Sequence, residues 1–391
     1  RSCKDRFRKV ISQMKYPMFK VHIDSDEAAK NVTDVLTSGF FNEGVQVKTF
    51  SDKLSEKMGY KNLVMTNSCT SALTMALKLS NVQAGDEVIT TSMTCLATNT
   101  PIVNLGAKVV WADINPETGN ICPESVLEKI TNKTKAVMCV DWAGLPCDLE
   151  RLLLICEENN IKLIQDAAHA FGARYNNEDV SFYADFTCYS FQAIKHISTG
   201  DGGALICRSD ADLDRAKKMK WFGLDRENSK DKNGEWKGQR WRLDVEEAGY
   251  KFNMNNIAAS IGISQIKHID RVLETHKTNA HLYEDIFKQN NKITPLRYPS
   301  NAEPTFWVYT VLLDESIDRD KVLQKLNDAS IGAGQVHVPN HNYTCFVDSF
   351  IHDNLPGVEY FNNHQISLPC GWWLTEEDVT HIANKLISLC E

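Results

Sequence analysis

Three short stretches of the chain carry residues that can do chemistry together. In SFQAIKHISTGDGG, Lys195 follows an apolar run by four residues and precedes a Gly-rich turn. A lysine held partly out of water loses its proton more readily and becomes a nucleophile toward carbonyls. A solvated surface lysine is the plain alternative. Asp166 closes the run IKLIQD and is followed by AAHAFGA. A carboxylate there can accept from a protonated ring nitrogen or a sugar hydroxyl, or it can cap the next helix. In NSCTSAL, Thr70 and Ser71 stand at a helix start. Exposed N–H groups and the positive end of the helix dipole make such a start a natural phosphate site. A simple cap by Ser68 or Thr70 is the competing reading.

Other chemistries lose their support because their signatures are missing. There is no GxxxxGK[ST], no GxGxxG after the first strand, no HExxH and no GxSxG. The GDGG run at 200–203 precedes a strand, whereas phosphate loops of the nucleotide-hydrolase kind follow one. His337 and His341 have ligand-like spacing, but Pro339 between them breaks any helix that would align them, so no metal is expected. The twelve cysteines include no CxxC pair and sit mostly in apolar runs, as reduced, buried thiols do.

The elements that must position these residues follow from hydrophobic periodicity. Strand-like runs at 62–66, 86–91, 108–113, 135–142, 161–166, 186–191 and 203–208 alternate with helical segments such as CTSALTMALKLS and LERLLLICEENN. Several runs are continuously apolar, as expected where helices cover both faces of a parallel sheet. The polar residues singled out above fall at the carboxyl ends of these strands, where open α/β sheets bind ligands. The pattern stops at 225–242, a charged stretch that reads as an exposed loop. After Asn256 a long helical pattern runs to about residue 290. It leads to a strand FWVYTVLLD, a helix DRDKVLQKLNDA and a final amphipathic helix TEEDVTHIANKLISLC.

Bulk properties bound the fold and exclude some functions. With 391 residues, 42% of them hydrophobic, the chain exceeds what one core usually fills, so two domains are expected. The net charge of −8 argues against bulk nucleic-acid binding. No run of about 18 apolar residues suggests a membrane span. The opening RSCKDRFRKV has basic residues without an apolar run behind them, so it reads as a truncated or processed terminus and not a secretory signal. A cytoplasmic protein is expected.

The lysine, aspartate and Ser/Thr blocks together resemble the DegT/DnrJ/EryC1/StrS family of nucleotide-sugar aminotransferases, fold-type I enzymes that use pyridoxal 5′-phosphate (PLP). The resemblance runs from GFFNEG at 39–44 to SLPCGWWLTEEDV at 367–379, and GDEVITTSMTCLATNTPIVNLGAKVVWADINPETGNI is as characteristic as the lysine region. It implies an α/β fold: a large domain with a mostly parallel seven-stranded sheet between helices, plus a smaller C-terminal α+β domain. The expected division is an N-terminal arm at 1–35, a PLP-binding domain at 36–256 and a C-terminal part at 257–391.

By position, the resemblance implies that Lys195 holds PLP as a Schiff base and shuttles the proton, while Asp166 pairs with the pyridinium nitrogen. His169 falls where the family bonds the ring hydroxyl. Thr70, Ser71 and Ser190 would hold the phosphate. Asn253, in GYKFNMNNIAA, would reach it from a neighbouring subunit of a homodimer. Two features depart from the pattern. Cys95 stands where an aromatic residue usually stacks on the cofactor ring. The 225–242 loop is long and Trp-rich, and its Trp236, Arg240, Trp241 and Arg242 could meet a nucleotide diphosphate. The implied reaction carries an amino group from glutamate to a nucleotide-linked keto sugar, most simply a 4-keto-6-deoxyhexose, for amino-sugar and polysaccharide biosynthesis. His337, His341 and Tyr343 could approach that sugar. The rivals are a pyridoxamine-dependent sugar dehydratase, disfavoured because Lys195 is present, and a non-catalytic regulatory relative.

Overall fold

The computed structural model describes residues 14–226, 244–349 and 354–391. Trp236, Arg240, Trp241 and Arg242 lie outside the described residues. Helices α1 (Ser25–Ser38) and α2 (Val45–Met58) lead into β1 (Leu63–Thr66) and α3 (Cys69–Leu79). Strands and helices then alternate as β2 (Glu87–Thr91), α4 (Leu96–Asn104), β3 (Lys108–Ala112), α5 (Pro123–Lys129) and β4 (Thr134–Val140). They continue with α6 (Leu149–Glu158), β5 (Lys162–Asp166), the short β6 (Arg174–Tyr175) and β7 (Glu178–Asp179), then β8 (Phe186–Ser190), β9 (Gly203–Cys207) and α7 (Asp210–Met219).

All seven expected strands form, and they pair in the order β1-β9-β8-β5-β4-β2-β3. The sheet is parallel except for β9, which runs against both of its neighbours. Alternate strand residues enter two separate cores. Val64, Val88, Met138, Ile164 and Leu205 join one, whereas Met65, Ile89, Val137, Leu163 and Ile206 join the other. Both faces are therefore dry, which is why the strands read as unbroken apolar runs.

Next in the chain come α8 (Asn256–Ile263), whose Ala259 packs in the second core with Phe50 of α2, and α9 (Ile269–Phe287). After β10 (Ile293–Pro295) and β11 (Ala302–Glu303) come β12 (Tyr309–Leu313), α10 (Arg319–Asp328), α11 (Pro356–His364), β13 (Gln365–Leu368) and α12 (Glu376–Cys390). Strands β10, β12 and β13 make a small antiparallel sheet. Its Tyr309 stacks on Tyr283 of α9 at 4.8 Å, so this smaller sheet packs on the long helix.

Two elements differ from the sequence pattern, and each difference serves the site described below. The helical pattern after Asn256 breaks between α8 and α9 at a 3₁₀ turn, Ile266–His268. There the buried Gln265 side chain turns away to clamp both backbone groups of Ser198, in the Lys195 loop. The strand expected from Phe306 starts only at Tyr309. Phe306 sits at φ 47°, and Thr305 and Trp307 donate from their backbones to Gly144 and Ala143 instead. The cysteines described are all unpaired, most of them buried. No described helix is long and apolar enough to cross a membrane. Among the described residues no group of three His, Cys, Asp or Glu side chains could hold a metal.

Candidate active site

Lys195 sits in the loop between β8 and β9, and the loop is braced along its length. Its N–H donates to Gln192 O at 3.0 Å, Thr199 N–H reaches Phe191 O at 2.8 Å, and the Ile194 N–H is accepted by the Gln192 side chain at 3.1 Å. With Gln265 holding Ser198, the half-buried amine has few places to go. It rests 3.5 Å from the centre of the Trp307 ring. Burial pulls its pKa down to about 8, against the opposing pull of Asp166, Cys95 and Cys69. That is low enough for a useful fraction of free amine near neutrality.

Asp166 is the last residue of β5, buried at the centre of the sheet. Its carboxylate accepts from Thr98 Oγ1 at 2.8 Å and from the Ala168 N–H at 3.1 Å. Burial nevertheless raises its pKa, since these bonds and the Lys195 charge do not fully replace water. A carboxylate in that condition is best satisfied by a cationic N–H. Three residues on, the buried His169 ring lies parallel to Trp307, with centroids 4.0 Å apart and planes at 17°. Its Nδ1 has no hydrogen-bond partner. Burial, then Lys195 and the neighbouring His337 and His196, drive its pKa well down, so the ring is neutral. His337 lies 5.4 Å from His169, also near parallel, and its Nε2 is likewise buried and unpartnered.

A second group collects one strand-width away. Gly203 at the start of β9 pairs with Thr66 on one side and Ser190 on the other. A Cβ there would come within 2.5 Å of Cys69 N and Ser68 C, so only glycine lets the first turn of α3 approach this row. Ser68 caps α3 by accepting from the Ser71 N–H at 3.1 Å, and Ser71 Oγ bonds Asn67 at 2.6 Å. Thr70 lies exposed on the same turn, and Ser190 Oγ accepts from the Gln192 N–H at 3.3 Å. Asn253 bridges to Thr66 in an isolated β-pair. Its side chain meets Lys251 Nζ at 2.6 Å, Asn42 at 3.2 Å and the Met254 carbonyl at 3.1 Å.

The structure thus brings Lys195, Asp166, His169 and Cys95 together, with Thr70, Ser71, Ser190 and Asn253 around the row ending at Gly203. Cys95 is half-buried at the N-cap of α4, with no side-chain cap bond. The C-terminal segment closes over this side. Asn340 bonds Ser92 O, Thr94 O and Asn99, and His341 Nδ1 lies 2.9 Å from Ser92 Oγ. Tyr343 stays partly exposed. Sequence reasoning missed Trp307, Thr98, Gln265 and Asn340. The Phe-Trp pair opening the strand pattern FWVYTVLLD was the one available cue for Trp307. A cavity of about 1210 Å³, lined by Lys57, Arg174, Phe182, Arg208 and Lys277, contains none of the site residues; it lies at the opposite end of β1 and β9.

A lysine on the loop after a central strand, facing a strand-end aspartate in a fold of this topology, defines a fold-type I transferase. Residues 22–387 match the DegT/DnrJ/EryC1/StrS aminotransferase family, and the chain belongs to it. It is 32% identical over 370 residues to the UDP-4-amino-4,6-dideoxy-N-acetyl-beta-L-altrosamine transaminase of Helicobacter pylori, covering 93% of this chain and 95% of that protein. The sugar aminotransferase CalS13 from Micromonospora echinospora superposes with a TM-score of 0.87 at 30% identity, over 95% of this chain and 99% of that one. Spr1654 from Streptococcus pneumoniae has been solved in PLP and PMP forms; the PLP form gives a TM-score of 0.86 at 27% identity, over 96% and 98% of the two chains. The protein is a PLP-dependent sugar aminotransferase. The donor set fits that cofactor: an amine tuned toward neutrality, a buried carboxylate short of a cation, and an imidazole nitrogen with nothing to bond.

Proposed function

We propose that this chain transfers the amino group of glutamate to a nucleotide-linked keto sugar, a 4-keto-6-deoxyhexose, releasing the 2-oxo acid in a ping-pong cycle. The observation that carries the proposal is the Lys195 amine, depressed to about 8 and facing Asp166 at the end of the central strand. The name of the Helicobacter pylori relative, a transaminase of a 4-amino-4,6-dideoxy sugar nucleotide, supports the substrate class.

In this reading Lys195 carries the cofactor and moves the proton at the reacting carbon. Bound PLP supplies an electron sink for the charge left when that proton departs. Asp166 holds the ring nitrogen protonated, with Thr98 and the Ala168 N–H fixing the carboxylate. His169, neutral and unpartnered at Nδ1, takes the ring hydroxyl. The first turn of α3, with Thr70 and Ser71, would hold the phosphate together with Ser190, and Asn253 of a second copy would reach it across the homodimer. Cys95 would stand beside the ring at the position that an aromatic residue usually fills. His337 and His341, on the C-terminal segment, would approach the sugar.

A homodimer belongs to the same proposal. Phe40 and Val45 are 77% and 76% exposed on the turn whose Asn42 bonds Asn253, an apolar edge beside the phosphate end that suits a second copy.

The experiment incubates the purified protein with PLP and records the visible band of the lysine-bound form. Glutamate should then convert it to the pyridoxamine form, and a panel of UDP-, dTDP- and GDP-linked keto sugars should yield an aminated product by mass spectrometry. A Lys195→Ala protein that retains turnover, or a wild-type protein without the band, sinks the reading.

A further inference from the structure

Cys95 leaves the site without its expected aromatic residue, yet an aromatic ring does stand at the lysine. It comes from the C-terminal part of the chain. Trp307 is buried, its ring lies under the Lys195 amine at 3.5 Å, and its indole N–H donates to Ile194 O at 2.7 Å. One side chain therefore holds both the lysine's terminal nitrogen and the backbone carbonyl immediately before it. The ring also stacks on Phe19 at 4.8 Å and on His169 at 4.0 Å. Its backbone N–H donates to Ala143 O at 2.8 Å, and the left-handed Phe306 turns it toward the lysine.

We propose that Trp307 is a positioning residue of the transamination site, setting the pose and the proton occupancy of the Lys195 amine. The inference rests on the reading of Lys195 as the cofactor lysine. An aromatic face attracts an ammonium and not a free amine, most strongly when the face is indole and water is excluded. The ring thus stabilises the protonated form against burial, which favours the free amine. The groups facing the amine are Asp166 from β5, Cys69 from α3 and Cys95 before α4, all favouring the charged form. His169, His196 and His337 are the facing titratable rings that repel it when protonated. Within this set Trp307 is the partner that also ties down the loop, so loss of the ring changes protonation and loss of the N–H changes placement.

Two substitutions separate these parts. Trp307→Phe keeps an aromatic face and removes the N–H; Trp307→Leu removes both. The readout is capture of PLP by the apo-protein, followed as growth of the lysine-bound band at a series of pH values, with circular dichroism confirming the fold. In wild type the capture rate is expected to rise through a midpoint near pH 8, where burial sets the amine. The Leu variant should shift that midpoint down by roughly one pH unit. The Phe variant should hold it within a few tenths of a unit but capture PLP several-fold more slowly, because Ile194 O has lost its donor. Equal midpoints and equal rates in all three proteins would overturn the proposal. Should the Leu variant not fold, an unchanged capture rate in the Phe variant overturns it alone. Lys195→Ala is the control for the underlying reading: a lysine-bound band surviving there removes that reading itself, whereas its loss with unchanged Trp307 variants removes only the role of Trp307.

Discussion

Lys195 and Asp166 pull each other toward charge in a place that penalises charge, and the balance sets when the site works. Burial dominates for both: the amine falls to about 8 and the carboxyl rises. The sign for the amine is direct. Below about pH 8 it is mostly ammonium and cannot attack an aldehyde; above it the free amine predominates. Cofactor capture by apo-protein should therefore climb as pH passes through 8 and level off beyond, measured by stopped-flow absorbance. If Asp166 pairs with the ring nitrogen as proposed, removing its negative charge should cost far more than a bond. Asp166→Asn is expected to slow the single-turnover reaction with glutamate by roughly a hundredfold or more, in the range seen when a preorganised electrostatic partner is lost, while leaving the fold intact. Both residues were legible in the sequence because each closes a recognisable strand or precedes a recognisable turn. Trp307 was not, since a tryptophan in FWVYTVLLD reads as strand filling until φ at Phe306 is known.

At the scale of elements, the seven strands and the helices between them were legible because two-sided burial writes continuous apolar runs. What the runs could not disclose was order: that β9 inserts backwards between β1 and β8 depends on long-range pairing. That insertion makes Gly203 the meeting point of Thr66, Ser190 and the first turn of α3. Gly203→Ala would have to push α3 away by an ångström or so or distort β9. The expected outcome is PLP affinity weakened at least tenfold with a smaller loss in melting temperature, compared by equilibrium titration and thermal unfolding. The break between α8 and α9 was equally hidden, because its cause, Gln265 bonded to Ser198, joins residues 67 apart.

The molecule as a whole is organised so that its C-terminal part completes what the large sheet begins. Asn340 fastens the closing segment to Ser92 and Thr94, and Trp307 reaches the lysine loop. Length and composition pointed to two domains, but nothing in local sequence marks which residues cross between the parts. Substituting the exposed apolar edge tests the proposed assembly: Phe40→Asp with Val45→Asp should convert a dimer into a monomer in analytical ultracentrifugation and lower PLP retention. Retention of the dimer would remove that edge from the interface. Chain order adds a constraint during synthesis. The ribosome releases Lys195 and Asp166 more than a hundred residues before Trp307 and Asn340. A growing chain can form the sheet and its lysine loop while Ile194 O still lacks its indole donor and the loop from Ser92 to Thr94 lacks its strap. On the proposed roles of Lys195 and Trp307, secure capture of the vitamin B6 cofactor would wait for the end of translation, and a chain stalled short of residue 307 would carry the lysine without the ring proposed to restrain it.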